Sequence, residues 1–168
     1  MTFVVRPAKP SDAEVLPEIE RSAGETFLTL PDLAWISSDE VSSPDDLRPL
    51  IAAGTVWVVD DQVGEPVGFL SAEAVDGELH LWEIAVAQAF QRHGLGRRLI
   101  DAAEAHARQA GLAALTLTTF CNVPWNAPAY EHMGFDRLME AGDRLGALLV
   151  QEAERGLPDR CAMRKPLR

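Results

Sequence analysis

A short turn with two glycines, placed between a strand-like run and a helix-like run, constrains this chain more than any other feature. The strand-like run covers residues 80–86, and the turn reads Gln91-Arg92-His93-Gly94-Leu95-Gly96-Arg97-Arg98. Two glycines separated by one residue let the backbone turn tightly and approach a ligand closely. The first N–H groups of a helix lack partners inside the helix, and the helix dipole adds partial positive charge there. The spacing predicts a pyrophosphate site, with a glycine-rich helix start and solvated arginines as the alternative.

A dinucleotide-binding turn is a rival interpretation of the same glycines, and the sequence excludes it. That turn requires a third glycine three residues after the second, followed about 20 residues later by an acidic residue. Leu99 stands where the third glycine would be. The next strand-like run ends in Thr118-Thr119-Phe120, without an acidic residue.

Two motifs, separated by one helix and one strand, carry a family resemblance. Gln-x-x-Gly-x-Gly at residues 91–96, after a strand ending in Ala85-Val86, resembles the acetyl-CoA signature of the GNAT acetyltransferases. The run Tyr130-Glu131-His132-Met133-Gly134-Phe135 is similar to the Tyr-x-x-x-Gly-Phe segment of that family. The resemblance implies an N-acetyltransferase that moves an acetyl group directly from acetyl-CoA to a primary amine of a small molecule or peptide. A non-catalytic acyl-CoA-binding or sensor domain that acts in a complex is the alternative.

The resemblance also implies a fold of the α/β (α+β) class. We expect a twisted, mostly antiparallel mixed sheet flanked by helices, with the strands ending at Val86 and Phe120 splayed apart to admit acetyl-CoA. A length of 168 residues predicts that residues 1–168 form a single domain.

Residues that bind the cosubstrate follow from the matched motifs. Backbone groups of residues 84–86 would pair with the pantetheine arm. The predicted set is Ile84, Ala85, Val86, Gln91, Arg92, His93, Gly94, Leu95, Gly96, Arg97, Arg98, Asn122, Asn126 and Met133. The segment 122–126 departs from the family pattern, because Val123 stands at the usual asparagine and Asn126 at the usual alanine. Asn122 is therefore expected to contact the arm, and Asn126 either contacts it or caps the helix that Pro128 begins.

Three side chains are candidates for proton transfer. Tyr130 is the only tyrosine of the chain and is expected to protonate the leaving thiolate, with ring packing as the alternative. Glu83 lies in an apolar strand, where a carboxylate is costly unless it is paired or solvated. It is either the general base or a structural acid. His80 is the alternative base, on the opposite face of the strand, or a packed histidine.

Composition limits the partners and the compartment. A net charge of −11 argues against a nucleic-acid surface and agrees with a cationic acceptor, or with solubility alone. No apolar run reaches the length of a membrane span, and the first residues lack a signal-peptide pattern. Cys121 and Cys161 form no C-x-x-C motif, which predicts reduced thiols in a cytoplasmic protein. The sequence indicates neither a metal site nor a covalent nucleophile.

Periodicity and turn signals predict the remaining elements. Further strands are expected at residues 3–6, 55–60, 67–75, 115–120, 135–139 and 160–164, and helices at 11–23, 44–54, 94–109 and 143–156. Ser11-Asp12 is expected to cap the first helix, with Glu14 completing a capping box with Ser11, and Pro17 to kink or shorten it. Ser43 is expected to cap the helix that Pro44 begins, and Asp76-Gly77 to form a hairpin turn. Residues 26–43 show no clean period. The resemblance suggests a wall of the acceptor site there, and a loop over the core is the alternative.

The predicted helix at 143–156 would be an insertion between the last two strands. Leu145, Leu148, Leu149 and Ala153 would form its apolar face. It could cover the acceptor site or pair with a second copy to form a homodimer, and the sequence leaves both open.

Overall fold

A computed structural model describes residues 2–168 of the chain. Its seven strands are neighbours in one open sheet, in the order β1-β2-β3-β4-β5-β7-β6. The strands are β1 (Val4–Pro7), β2 (Val56–Asp60), β3 (Pro66–Val75), β4 (Glu78–Val86), β5 (Ala114–Phe120), β6 (Asp136–Arg137) and β7 (Arg160–Pro166). β4 and β5 run parallel, and β1–β2, β2–β3, β5–β7 and β6–β7 are antiparallel pairs. The prediction of a mostly antiparallel mixed sheet with flanking helices is therefore confirmed.

Residues 2–168 contain five α-helices in addition to the sheet. They are α1 (Leu16–Gly24), α2 (Pro44–Ala52), α3 (Leu95–Gln109), α4 (Ala127–His132) and α5 (Gly142–Glu154). Short 3-10 stretches cover Pro10–Glu14, Glu25–Thr29, Pro31–Ser38 and Gln88–Phe90. The contacts group the chain into two compact units. The first unit contains residues 2–73 and Leu81–His106, and the second contains Ala74–His80 and Ala107–Arg168. The prediction of a single domain over residues 1–168 stays a prediction.

The first unit has its core where α1 and α2 pack on strands. Leu16 and Ile19 of α1 and Leu47 and Ile51 of α2 are buried in one apolar cluster, which also includes Val56, Val58, Phe69, Ala85 and Ala13. α2 begins as predicted, because Ser43 Oγ accepts from Asp46 N at 3.1 Å and the Asp46 carboxylate accepts from Ser43 N at 3.0 Å.

The start of the first helix differs from the prediction. Residues 10–14 form a 3-10 stretch in which Asp12, not Ser11, accepts the capping bond from Lys9 N at 2.6 Å. α1 begins only at Leu16, so Pro17 lies in its first turn and causes no kink inside the helix. Proline is tolerated there because the first N–H groups of a helix have no intrahelical partner.

The second unit is built on a long antiparallel pair. β5 and β7 pair over seven residues, from Ala114–Pro166 to Phe120–Arg160. The predicted strand at 135–139 is wrong in length, because β6 has only two residues and pairs with β7 at Asp136 and Arg137. Phe135 is buried before this strand, whereas Met139 is almost fully exposed after it. The Asp76-Gly77 turn is confirmed, since both residues have the positive φ that such a hairpin needs, 52° and 75°.

Candidate functional site

The two-glycine turn forms the N-terminal end of α3. Arg92 and Gly94 have φ values of 66° and 72°, and α3 begins at Leu95, which is buried. A Cβ built on Gly94 would meet nothing within 4 Å, so this glycine serves the left-handed backbone rather than a tight packing contact. Arg97 is exposed beside the helix start, while Arg98 donates to the carbonyl oxygen of Phe3 at 3.0 Å. The turn therefore presents open helix-terminal donors with positive charge around them.

The side chain of Gln91 is directed into the protein. Its Nε2 donates to the carbonyl oxygen of Val86 at 3.0 Å, and its Oε1 accepts from Thr26 Oγ1 at 3.3 Å. We expected this amide among the donors around a phosphate. Its contacts instead hold the turn against the end of β4.

Asn126 has a buried acceptor without a partner. It is the N-cap residue of α4, as predicted, but its side chain makes no capping hydrogen bond, so the predicted side-chain cap is wrong. Its Oδ1 is buried, and the described part of the chain offers this atom no hydrogen bond, while Nδ2 lies 3.5 Å from the carbonyl oxygen of Trp125. An unpaired buried oxygen is costly, and a ligand amide N–H is a donor that would satisfy it. Coenzyme A carries such amides in its pantetheine arm, so this feature fits the group.

Asn122 and Met133 are two further residues predicted to contact the pantetheine arm. Asn122 is exposed in the same loop. Met133 is half-buried at the end of α4, where its N–H donates to the carbonyl oxygen of Tyr130 at 2.9 Å.

Tyr130 is held by backbone and ring contacts. Its N–H donates to the carbonyl oxygen of Asn126 at 3.0 Å, which places it on the first full turn of α4. Its ring packs edge-on against Phe135, with centroids 5.8 Å apart. The residue is half-buried, so ring packing and a polar role for the hydroxyl are compatible.

Glu83 lies where β4 leaves the core. We expected β4 to be buried on both faces, and this holds for Leu79, His80 and Leu81. Trp82 is 46% exposed, with its Nε1 donating to Glu73 at 3.0 Å, and Glu83 is half-buried. Partial solvation lowers the cost of a carboxylate in a strand, which explains how Glu83 is tolerated.

His80 is a buried, hydrogen-bonded histidine. It is 1% exposed, and its Nδ1 lies 2.9 Å from Thr116 Oγ1 and 3.4 Å from Arg144 Nη1. Burial, and then the positive charge of Arg144, lower the pKa of His80 to about 4. The ring is therefore neutral at pH 7 and a weak base.

Sequence reasoning missed the polar residues that attach α5 to the sheet. Arg144 contacts Glu78 at 3.2 Å and Thr116 at 3.3 Å. About two turns further along the same helix, Glu152 accepts from Thr118 at 2.7 Å and from Arg160 at 2.9 Å. The predicted apolar face drew attention to Leu145 and Ala153, which directly follow Arg144 and Glu152 in the sequence.

The part of the chain that is described supports neither a metal site nor a membrane span. Among residues 2–168, no three histidine, cysteine, aspartate or glutamate side chains are grouped as metal ligands would be. In the same range, every helix is too short or too polar to cross a membrane.

Known proteins share this fold. The model of the Acetyltransferase (GNAT) family matches residues 24–135. The PaiA N-acetyltransferase of Thermoplasma acidophilum, solved in complex with coenzyme A, is 16% identical with a TM-score of 0.71, over 99% of this chain and 100% of that chain. Rv2747 of Mycobacterium tuberculosis, in complex with CoA and NLQ, is 18% identical with a TM-score of 0.74, over 98% and 99%. The ribosomal-protein-S18-alanine N-acetyltransferase of Escherichia coli is 20% identical with a TM-score of 0.66, over 98% and 94%. These structures are evidence of the fold alone, but the family match covers more than half of the sequence, and this chain therefore belongs to the Acetyltransferase (GNAT) family.

Proposed function

We propose that this protein transfers the acetyl group of acetyl-CoA directly to a primary amine of a small molecule or peptide. The observation that carries the proposal is the open N-terminus of α3, where Gly94 has a left-handed backbone and Arg97 is exposed. Such a terminus suits a pyrophosphate. Family membership and the CoA-bound relatives support the same cosubstrate.

Residues of the chain have separate tasks in binding. The N–H groups at the start of α3 hold the pyrophosphate, and Arg92, His93 and Arg97 surround it with exposed positive or donor groups. Backbone groups of residues 84–86 align the pantetheine arm. The buried Oδ1 of Asn126 accepts from an amide of that arm. Acetyl-CoA supplies a thioester carbonyl that an amine can attack.

Two proton transfers complete the reaction. Glu83 takes the proton of the acceptor amine, directly or through water, because only a neutral amine is a nucleophile. Tyr130 gives a proton to the departing sulfur. Glu83 is preferred to His80 as the base, because Glu83 is half-buried and can meet solvent or an acceptor, whereas His80 is 1% exposed.

Acetyl-CoA turnover with a panel of amines, followed by thiol release, tests the proposal. At least one amine should accelerate thiol release above hydrolysis. Glu83→Gln should lose most of this activity at low pH, where the amine most needs deprotonation. Glu73→Gln removes a carboxylate that binds Trp82 and serves as the matched control. CoA binding without turnover on any amine would favour the alternative, an acyl-CoA sensor. Absence of binding would contradict both.

A further inference from the structure

We call residues 92–98 the phosphate turn. Two long-range hydrogen bonds join Gln88 and Gln91, which precede this turn, to the last residues of α1 and the segment that follows it. Gln88 N donates to Ser22 Oγ at 3.0 Å, and Thr26 Oγ1 donates to Gln91 Oε1 at 3.3 Å. The partners are 66 and 65 residues apart, so local secondary structure does not enforce either bond. The same Thr26 hydroxyl lies 3.0 Å from the carbonyl oxygen of Ala23, so it shares its proton between two acceptors.

Gln91 connects three segments through one amide group. Its Nε2 fixes the carbonyl oxygen of Val86 at the end of β4, and its Oε1 receives Thr26. Arg92, the next residue, already has a left-handed backbone. A turn of this kind keeps its shape only when the residue that leads into it is held, because non-glycine residues visit this conformation at a cost. The position of Gln91 therefore sets where the phosphate turn begins.

The segment on the other side of this contact, residues 25–38, buries few of its side chains fully. Residues 25–38 consist of two 3-10 stretches, whose hydrogen-bond geometry is poorer than that of an α-helix. Leu33 is the one buried residue within this described segment, while Leu28 is 59% and Trp35 40% exposed. A segment with so little buried surface opens at a low free-energy cost, so a single hydrogen bond from Thr26 can alter its order.

We propose that Gln91 and Thr26 couple the phosphate turn to segment 25–38, so that CoA binding at the turn orders this segment. The inference rests on the proposed function, because it takes CoA as the ligand of the turn. Gln91 is then a positioning residue, which acts through Val86 and Thr26 and not on the reacting atoms. Coupling is reciprocal, so a ligand that orders segment 25–38 also raises the affinity for CoA.

Hydrogen exchange and calorimetry on four proteins test the coupling. CoA is added to the wild type and to Thr26→Val, Thr26→Ser and Thr29→Val. Thr26→Val keeps the shape of the side chain and removes the hydroxyl, and Thr26→Ser restores it. Thr29→Val is the matched control, because Thr29 loses only a local bond to the carbonyl oxygen of Thr26 and does not touch Gln91.

In the wild type, CoA should slow amide exchange both at residues 92–98 and at residues 25–38. Thr26→Val should keep the protection at 92–98, lose that at 25–38, and raise the Kd for CoA about 3- to 10-fold, the effect of one neutral hydrogen bond. Thr26→Ser and Thr29→Val should resemble the wild type.

Protection at 92–98 without any at 25–38 in the wild type overturns the coupling and leaves the proposed function intact. The coupling is also wrong if Thr29→Val and Thr26→Val behave alike. If CoA neither binds nor protects residues 92–98, the proposed function fails together with it.

Discussion

The buried His80 provides a test of how its surroundings make the stability of the protein depend on pH. His80 has a pKa of about 4 in the folded protein, against an ordinary value of 6.5 in the unfolded chain. Between these two values, the unfolded state binds a proton that the folded state does not. His80 therefore does not change the free energy of unfolding above pH 6.5, and it lowers this free energy as the pH falls toward 4.

The magnitude follows from the separation of the two pKa values. Each pKa unit corresponds to about 1.4 kcal/mol, so His80 should lower the free energy of unfolding by about 2 kcal/mol at pH 5 and by about 3 kcal/mol near pH 4. The charged groups around the ring are Arg144 at 3.4 Å and, through Arg144, Glu78 and Asp76. Arg144 opposes protonation, so the two acids compensate it only in part.

Urea unfolding measures the contribution of His80 to the free energy of unfolding. The wild type and His80→Asn are compared at several pH values from 7.5 to 4.5. Asparagine retains an acceptor near the position of Nδ1 but does not titrate, and any packing defect lowers stability equally at every pH. The wild type should therefore lose about 2 kcal/mol relative to the variant between pH 7.5 and pH 5. His132→Asn, at an exposed position, is the control. Parallel curves for wild type and His80→Asn would refute the reasoning and reopen His80 as a candidate base.

Three further predictions concern the site and its surroundings. Gly96→Glu should abolish CoA binding in calorimetry while the circular dichroism spectrum is retained, because it adds bulk and negative charge to the helix start; unchanged affinity would contradict the phosphate assignment. Tyr130→Phe should lower turnover about 100-fold with little change in CoA affinity, as expected for the loss of a general acid; turnover at the parent rate would make Tyr130 structural. Thiol titration of unreduced protein should find both cysteines, with Cys161 alkylated far more slowly than Cys121 at pH 8, because burial and the contact with Cys121 raise the pKa of Cys161 to about 12. Equal alkylation rates would show that Cys161 is not so shielded.

The elements that the sequence predicted correctly are those with strong local signals. The Ser43-Pro44 start of α2, the Asp76-Gly77 hairpin and the turn before α3 each depend on backbone chemistry within a few residues. The first helix start was predicted wrongly because the N-cap residue is Lys9, and the carboxylate of Asp12, three residues later, accepts from its N–H. Arg6 in β1 binds Asp12 at 2.8 Å and Asp60 at 2.7 Å, so Asp12 is fixed by the sheet.

Motif residues of the site could be located from the sequence, but their contacts could not. The position of Gln91 follows from the glycine spacing, whereas the direction of its side chain depends on Thr26, 65 residues earlier in the chain. The environment of His80 likewise depends on Arg144, which lies 64 residues away. Side-chain roles set by partners at such distances leave no periodic or local signal in a single sequence.

The inserted helix α5 illustrates why an apolar stripe predicts a helix but not its attachment. Leu145 is buried as predicted, whereas Ala153, assigned to the same face, is exposed. The sheet beneath carries Thr116 and Thr118, and a surface of hydroxyl groups is covered best by side chains that can hydrogen-bond to it. Arg144 and Glu152 meet that need at opposite ends of the helix. Each is itself paired with a strand residue: Arg144 with Glu78, which also pairs with Arg164 at 2.8 Å, and Glu152 with Arg160 at 2.9 Å. Arg144 and Glu152 therefore attach α5 to the sheet together with the buried Leu145.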